Sequence, residues 1–152
     1  MTRSESITKL TTAVAKAQAE MPVALFDATN PFLKSNYASL GAVIQTSRPI
    51  LAKYDLGLIQ FPISDASSVG VESILTHASG EFISEKILIP LVEEKGKSRV
   101  QSAGSTLTYL RRYAWASILG MYADQDSDGS SAAQTFQPKT AAALPPPPTQ
   151  RK

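Results

Sequence analysis

The chain has 152 residues, ten of them proline, with one histidine, no cysteine and a formal net charge of +2. A chain of this length buries roughly two-thirds of its unfolded surface, enough for a single core without disulfides or metal staples. The empty cysteine column excludes thiolate metal sites and cysteine nucleophiles, and the lone His77 excludes histidine-pair metal sites and any triad that does not use it.

The net charge misleads about where the cations lie. Ser130 to Lys152 holds Lys139, Arg151 and Lys152 and no acidic residue, so the preceding 129 positions carry twelve basic and thirteen acidic side chains. Any attraction to nucleic acid must come from local clustering. The longest uncharged stretch before the tail, Ser35 to Ser47, is thirteen residues and contains Asn, Gln, Ser and Thr, too short and too polar to span a membrane. No apolar segment of signal type follows Met1, so an intracellular protein is expected.

Thr2-Arg-Ser-Glu5 fits a capping box, and Ile7, Leu10, Val14, Ala17 and Met21 follow at helical spacing, which predicts an amphipathic first helix ending near Pro22. Asp27 to Asn36 reads as an irregular loop. Leu40, Val43, Ile44, Leu51 and Tyr54 then predict a second helix that Pro49 should kink or restart. The hydrophobic period next changes to two. Leu56 to Ile63, Val69 to His77 and Phe82 to Pro90, separated by Ser64–Ser68 and Ala78-Ser-Gly80, predict an antiparallel three-stranded β-meander. A Gly/Lys/Ser/Arg loop leads into a last helix, with Gly104 at its N-terminus. At about 100° per residue, Ala103, Leu107, Leu110, Ala114, Ile118 and Met121 form its buried stripe. Arg112, Thr108, Ser105 and Tyr109 lie well off that stripe, and Arg111 sits at its margin. The fold class expected is α+β, helices packed on an antiparallel three-stranded meander. Residues 1–129 form the domain, and 130–152, with half of the prolines and almost no core-forming residues, read as a disordered Pro/Ala-rich tail. The tetraproline at 145–148 suits a polyproline-reading partner, although a solvated spacer satisfies the same composition.

Chemistry concentrates in two places. Lys95, Lys97, Arg99, Arg111 and Arg112 follow one another with no intervening acid, a phosphate track in composition. Gln101, Ser105 and Thr108 add polar groups, and Tyr109, Tyr113 and Trp115 add rings on which unstacked bases can rest. The bland alternative is a solvated loop, with the paired arginines neutralised by Glu93 and Glu94 and the aromatics used in packing. The second place is Asp124-Gln-Asp126-Ser-Asp128-Gly129, which opens like a calcium loop but has Thr135 where the closing glutamate belongs. Its three carboxylates could instead hold Mg²⁺ for a nuclease, the enzyme alternative.

Tyr37-Ala-Ser-Leu40, Arg48-Pro-Ile-Leu51, Gly57-Leu-Ile-Gln60, Leu75–Glu81 and above all Gly104-Ser-Thr-Leu-Thr-Tyr-Leu-Arg-Arg-Tyr113, followed by Leu119-Gly120 and the acidic run, resemble the essential recombination function (ERF) family of phage single-strand annealing proteins. The resemblance covers roughly residues 5 to 129. It implies ATP-independent binding of single-stranded DNA, annealing of complementary strands in phage recombination in the bacterial host cytoplasm, and assembly into rings or filaments. It also implies kinship with strand-annealing recombination mediators, whose core is a β-meander with a long basic helix. Arg111 and Arg112 match the family's paired arginines and become the first expected phosphate contacts, followed by Arg99, Lys97 and Lys95. Annealing needs no bond chemistry, so no catalytic residue, metal or cofactor is expected. A third possibility is an adaptor that recruits a protein partner through the tail.

Overall fold

The computed structural model of the chain describes residues 1–30, 35–92 and 96–122. In chain order the elements are β1 (Thr2–Arg3), α1 (Thr8–Glu20), β2 (Ala28–Asn30), β3 (Ser35–Tyr37), α2 (Leu40–Lys53), β4 (Leu56–Ser64), β5 (Ser68–His77), β6 (Phe82–Pro90) and α3 (Arg99–Leu119). The fold is α+β, with helices packed on an antiparallel sheet.

The meander β4–β5–β6 forms with strand limits close to those expected, but the sheet has four strands, in the order β1-β6-β5-β4. The fourth comes from the segment that reads as a capping box. Thr2 pairs with Ser84 and Arg3 with Ile83, while the Ser4 amide donates to the Phe82 carbonyl at 3.0 Å and the Ser4 Oγ accepts the Phe82 amide at 2.9 Å. With that segment paired to an edge strand, α1 starts only at Thr8 and has no side-chain cap of its own. Glu81, in the β5–β6 hairpin, replaces it: Oε2 accepts the Leu10 amide at 2.7 Å and Oε1 the Ser6 hydroxyl at 2.8 Å. A carboxylate at a helix N-terminus also meets the positive end of the helix dipole.

The expected loop at 27–36 contains a small ladder, β2 against β3, with Ala28 opposite Tyr37. Asp27 anchors it to the next helix by accepting the Ser39 amide at 2.6 Å and the Ser39 hydroxyl at 2.7 Å, and Ser39 in turn caps α2 by accepting the Ala42 amide. α2 runs without interruption through Pro49. Pro49 and Gln45, the residue whose carbonyl loses its donor, are both exposed, so water can satisfy that carbonyl.

All three helices cover one face of the sheet. Along β5 the buried residues on that face are Val69, Val71, Ser73 and Leu75. Leu110 and Ala114 of α3 pack on Val71, while Leu10 and Ala17 of α1, Val43 and Leu51 of α2, and Trp115, Ala116 and Leu119 of α3 build the main core over Leu56 and Leu75. Among the described residues no helix packs on the other sheet face. That face carries exposed Ile59, Phe61 and Leu88 around a polar centre in which the Ser84 hydroxyl donates to Glu72 and Lys86 pairs with the same carboxylate.

Candidate nucleic-acid interface

α3 is longer at its start than its hydrophobic stripe suggests. Ser98 caps it with a reciprocal box: Ser98 Oγ accepts the Gln101 amide at 3.3 Å, and Gln101 Oε1 accepts the Ser98 amide at 2.9 Å. Gly104 therefore lies inside the helix, and its amide is not one of the orphan donors of a helix start. The last turn ends at Gly120, left-handed at φ 66°.

The helix is also buried differently along its two halves. One face bears Gln101, Ser105, Thr108 and Tyr109 in its first half, and all four are exposed. The same face continues through Arg112, Trp115, Ala116 and Leu119, and there it is buried: the last three pack with α1 and α2, and Arg112 lies against Tyr37 of β3 and the rings of Tyr109 and Tyr113. The opposite face, Leu110 and Ala114, lies on the sheet. A single-stripe helical wheel cannot describe such a helix. It correctly keeps Ser105, Thr108 and Tyr109 on the surface but misplaces Arg112, which is only 7% exposed.

The environment of Arg112 is aromatic. Its guanidinium carbon lies 4.4 Å from the ring centroid of Tyr113, 4.6 Å from that of Tyr37 and 5.6 Å from that of Tyr109. Tyr109 and Tyr113 are themselves in ring contact, with centroids 4.3 Å apart and planes inclined by 43°. Tyr109, Arg112 and Tyr113 meet because positions three and four apart share a helix face, and the β2–β3 ladder delivers Tyr37. Tyr37 carries no charge or ligand signature, and its membership of this cluster depends on a hairpin that the sequence does not announce. Trp115, expected among possible base-stacking rings, is core: it is buried, and its Nε1 donates to the buried Ser47 Oγ at 2.9 Å.

The remaining expected contacts divide between the ends of the exposed face. Arg111 is half-buried at its edge, where Nε donates to Gln60 Oε1 of β4 at 3.4 Å while Gln60 Nε2 donates to the Arg111 carbonyl at 3.1 Å and the Ser73 hydroxyl at 3.2 Å. This clip fixes the stem of Arg111 against the sheet. Arg99, at the first position of the helix, donates through Nη2 to the Ala66 carbonyl in the β4–β5 turn at 2.8 Å. Lys97 is exposed just before the helix. At 1.5 Å per residue, about 18 Å of helix separates Arg99 from Arg111, so the cations border the polar shelf at its two ends and do not form one patch. Thr108 Oγ1 donates to the Gly104 carbonyl. Lys95, Glu93, Glu94, the acidic triplet Asp124, Asp126 and Asp128, and the tail at 130–152 lie outside the described residues. His77 is engaged in the β5–β6 turn, where its Nδ1 accepts the Ser79 amide at 3.0 Å.

An α+β domain with a long helix that offers cations, hydroxyls and an exposed tyrosine, and has three arginines and no acidic residue, has the composition of a polyanion-binding surface. A family model described as the ERF superfamily matches residues 10–152, and the chain belongs to that family. The match runs through the tail, beyond the limit of the motif resemblance at about residue 129. At the level of the family this assigns the chain to phage recombination and single-strand annealing. Searches of curated proteins and of solved structures each returned no match. Among the described residues, no helix is long and apolar enough to cross a membrane.

Proposed function

We propose that this chain binds single-stranded DNA along the exposed half of α3 and anneals complementary strands without ATP, as a homo-oligomer in the cytoplasm of a bacterial host. The observation that carries this reading is the exposed row Gln101, Ser105, Thr108 and Tyr109 on an acid-free helix bordered by Arg111, Arg99 and Lys97. Cations hold the phosphates, hydroxyls and amides settle the sugar-phosphate path, and base edges stay open for a second strand. Arg111 suits the phosphate role because the Gln60 clip uses Nε, so Nη1 and Nη2 are the groups turned to an anion. One protomer offers few cations, so affinity must come from repeating the shelf on neighbouring subunits. No bond is made or broken in annealing, and the reading requires no catalytic group or cofactor. Kinship with the strand-annealing recombination mediators belongs to the same proposal.

The test is fluorescence anisotropy with a labelled oligonucleotide at several salt concentrations, together with annealing of complementary strands in the absence of nucleotide. The wild type should bind and anneal, and Arg111→Ala should reduce the log-log salt slope by about 0.7, the contribution of one single-strand phosphate. A folded wild type that neither binds nor anneals single strands overturns the reading.

A further inference from the structure

Arg112 sits where a phosphate contact is expected from sequence, yet its surroundings fit another task. At 7% exposure, with its guanidinium within 6 Å of three tyrosine rings, it is enclosed by aromatic surface and does not stand on the shelf. At that exposure it presents little surface to a phosphate on the shelf. Tyr109, in contrast, is 55% exposed at the end of the polar row, with its ring in contact with Tyr113 and near the Arg112 guanidinium. A planar guanidinium attracts the negative faces of aromatic rings and is less strongly hydrated than an ammonium, so it can be buried among them and fix their orientation.

We propose that Arg112 is a positioning residue that locks Tyr37, Tyr109 and Tyr113 into a platform, and that the exposed ring of Tyr109 stacks on an unpaired DNA base. The inference rests on the single-strand-binding reading and changes the role of one arginine within it. Arg111 meets the backbone and Arg112 organises the base contact. A stacking contact is tolerant of sequence, because every base has a π face, and it leaves the pairing edge open for annealing. A lysine at this position would keep the charge but lose the guanidinium plane that the three rings meet.

The experiment uses the full chain and a single-stranded oligonucleotide carrying 2-aminopurine. Tyr109→Ala, at an exposed position, should weaken binding roughly 5- to 150-fold, the range for loss of one stacked base, and should abolish the 2-aminopurine response to binding. Its salt slope should stay at the wild-type value. Arg112→Lys should likewise lower affinity and the 2-aminopurine response at an unchanged slope. In the absence of DNA, NMR of labelled tyrosine rings in Arg112→Lys should show altered Tyr37, Tyr109 and Tyr113 resonances with the rest of the fold retained. A wild-type affinity and 2-aminopurine response in Tyr109→Ala overturns the platform, and does so whether or not the Arg112 variant folds. A slope reduced by about 0.7 in Arg112→Ala, with the 2-aminopurine response intact, also overturns it, because Arg112 would then be neutralising a phosphate. Failure of the wild type to bind any single strand is a separate result, which removes the annealing reading and the platform with it.

Discussion

The indole Nε1 of Trp115 donates a 2.9 Å hydrogen bond to Ser47 Oγ, and both side chains are buried where α3 crosses α2. Ser47 Oγ donates in turn to the Val43 carbonyl at 2.8 Å, so the hydroxyl joins two helices and leaves no dangling donor. Ser47→Ala removes the acceptor and keeps the indole N–H in the core. The expected cost is about 1–3 kcal/mol, the penalty for a buried donor without a partner, read as a lower urea midpoint at an unchanged m-value. Trp115 fluorescence should report the same transition in both proteins.

Two glycines should respond in opposite directions. A Cβ on Gly70 would stand 2.0 Å from the Ile87 carbonyl oxygen and 2.9 Å from Leu88 Cα, backbone atoms of the paired strand β6. They cannot move without breaking the β5–β6 ladder, so Gly70→Ala should cost about 3 kcal/mol or more, or prevent folding. Gly104 is inside α3 and a Cβ there meets nothing within 4 Å. Gly104→Ala should therefore raise stability by about 0.5–1 kcal/mol through helix propensity alone. Paired thermal melts of the two variants separate the steric effect from the propensity effect. A destabilised Gly104→Ala would show that the glycine has a packing role the fold does not reveal.

These contrasts mark what local sequence pattern encodes. The period-two runs specify β4, β5 and β6 nearly to the residue, because alternation and turn residues are both local signals. The four-stranded sheet is not legible in the same way: whether Thr2-Arg3 caps a helix or pairs with β6 is decided by Phe82 and Ser84, some eighty positions away. The same limit applies at the candidate site. Exposure of Ser105, Thr108 and Tyr109 follows from a one-sided stripe, but burial of Trp115 requires knowing that α1 and α2 pack on the second half of the helix. Tyr37 joins Arg112 only through the β2–β3 ladder.

Acid should weaken the fold through the carboxylates that replace local caps. The Leu10 amide and, after it, the Ser6 hydroxyl hold the Glu81 carboxyl below its ordinary value, against the opposing effect of burial. The Ser39 amide and hydroxyl do the same for Asp27. Because each carboxyl is the stronger acid in the folded state, the unfolded chain binds more protons as pH falls. The stabilisation is then complete above the unfolded values, about 4 for these residue types, and is lost as pH drops through the lower folded values. Thermal midpoints measured from pH 7 to pH 2.5 should decline across that window. Glu81→Gln should melt lower than wild type at pH 7, and the gap should narrow as pH falls below the unfolded value and through the lowered native one, where the native carboxyl takes up its proton as well. A gap that persists unchanged to pH 2.5 would assign the effect to shape, not charge.

Ser102 provides the converse of Ser47. It is 2% exposed near the start of α3, and its buried hydroxyl has no hydrogen-bond partner among the described residues. Folding thus strips water from this oxygen without returning a bond, a cost that an apolar side chain of nearly the same size avoids. Alanine also has the higher helix propensity, since it does not compete for backbone groups. Ser102→Ala should raise stability by about 1 kcal/mol, seen as a higher urea midpoint. Its DNA affinity should match wild type, because Ser102 is buried while Gln101 and Ser105 beside it carry the exposed row. A loss of stability would mean that the hydroxyl acquires a partner in the assembled protein, and comparison of midpoints at several protein concentrations would then reveal it, since only an oligomer-linked bond makes stability depend on concentration.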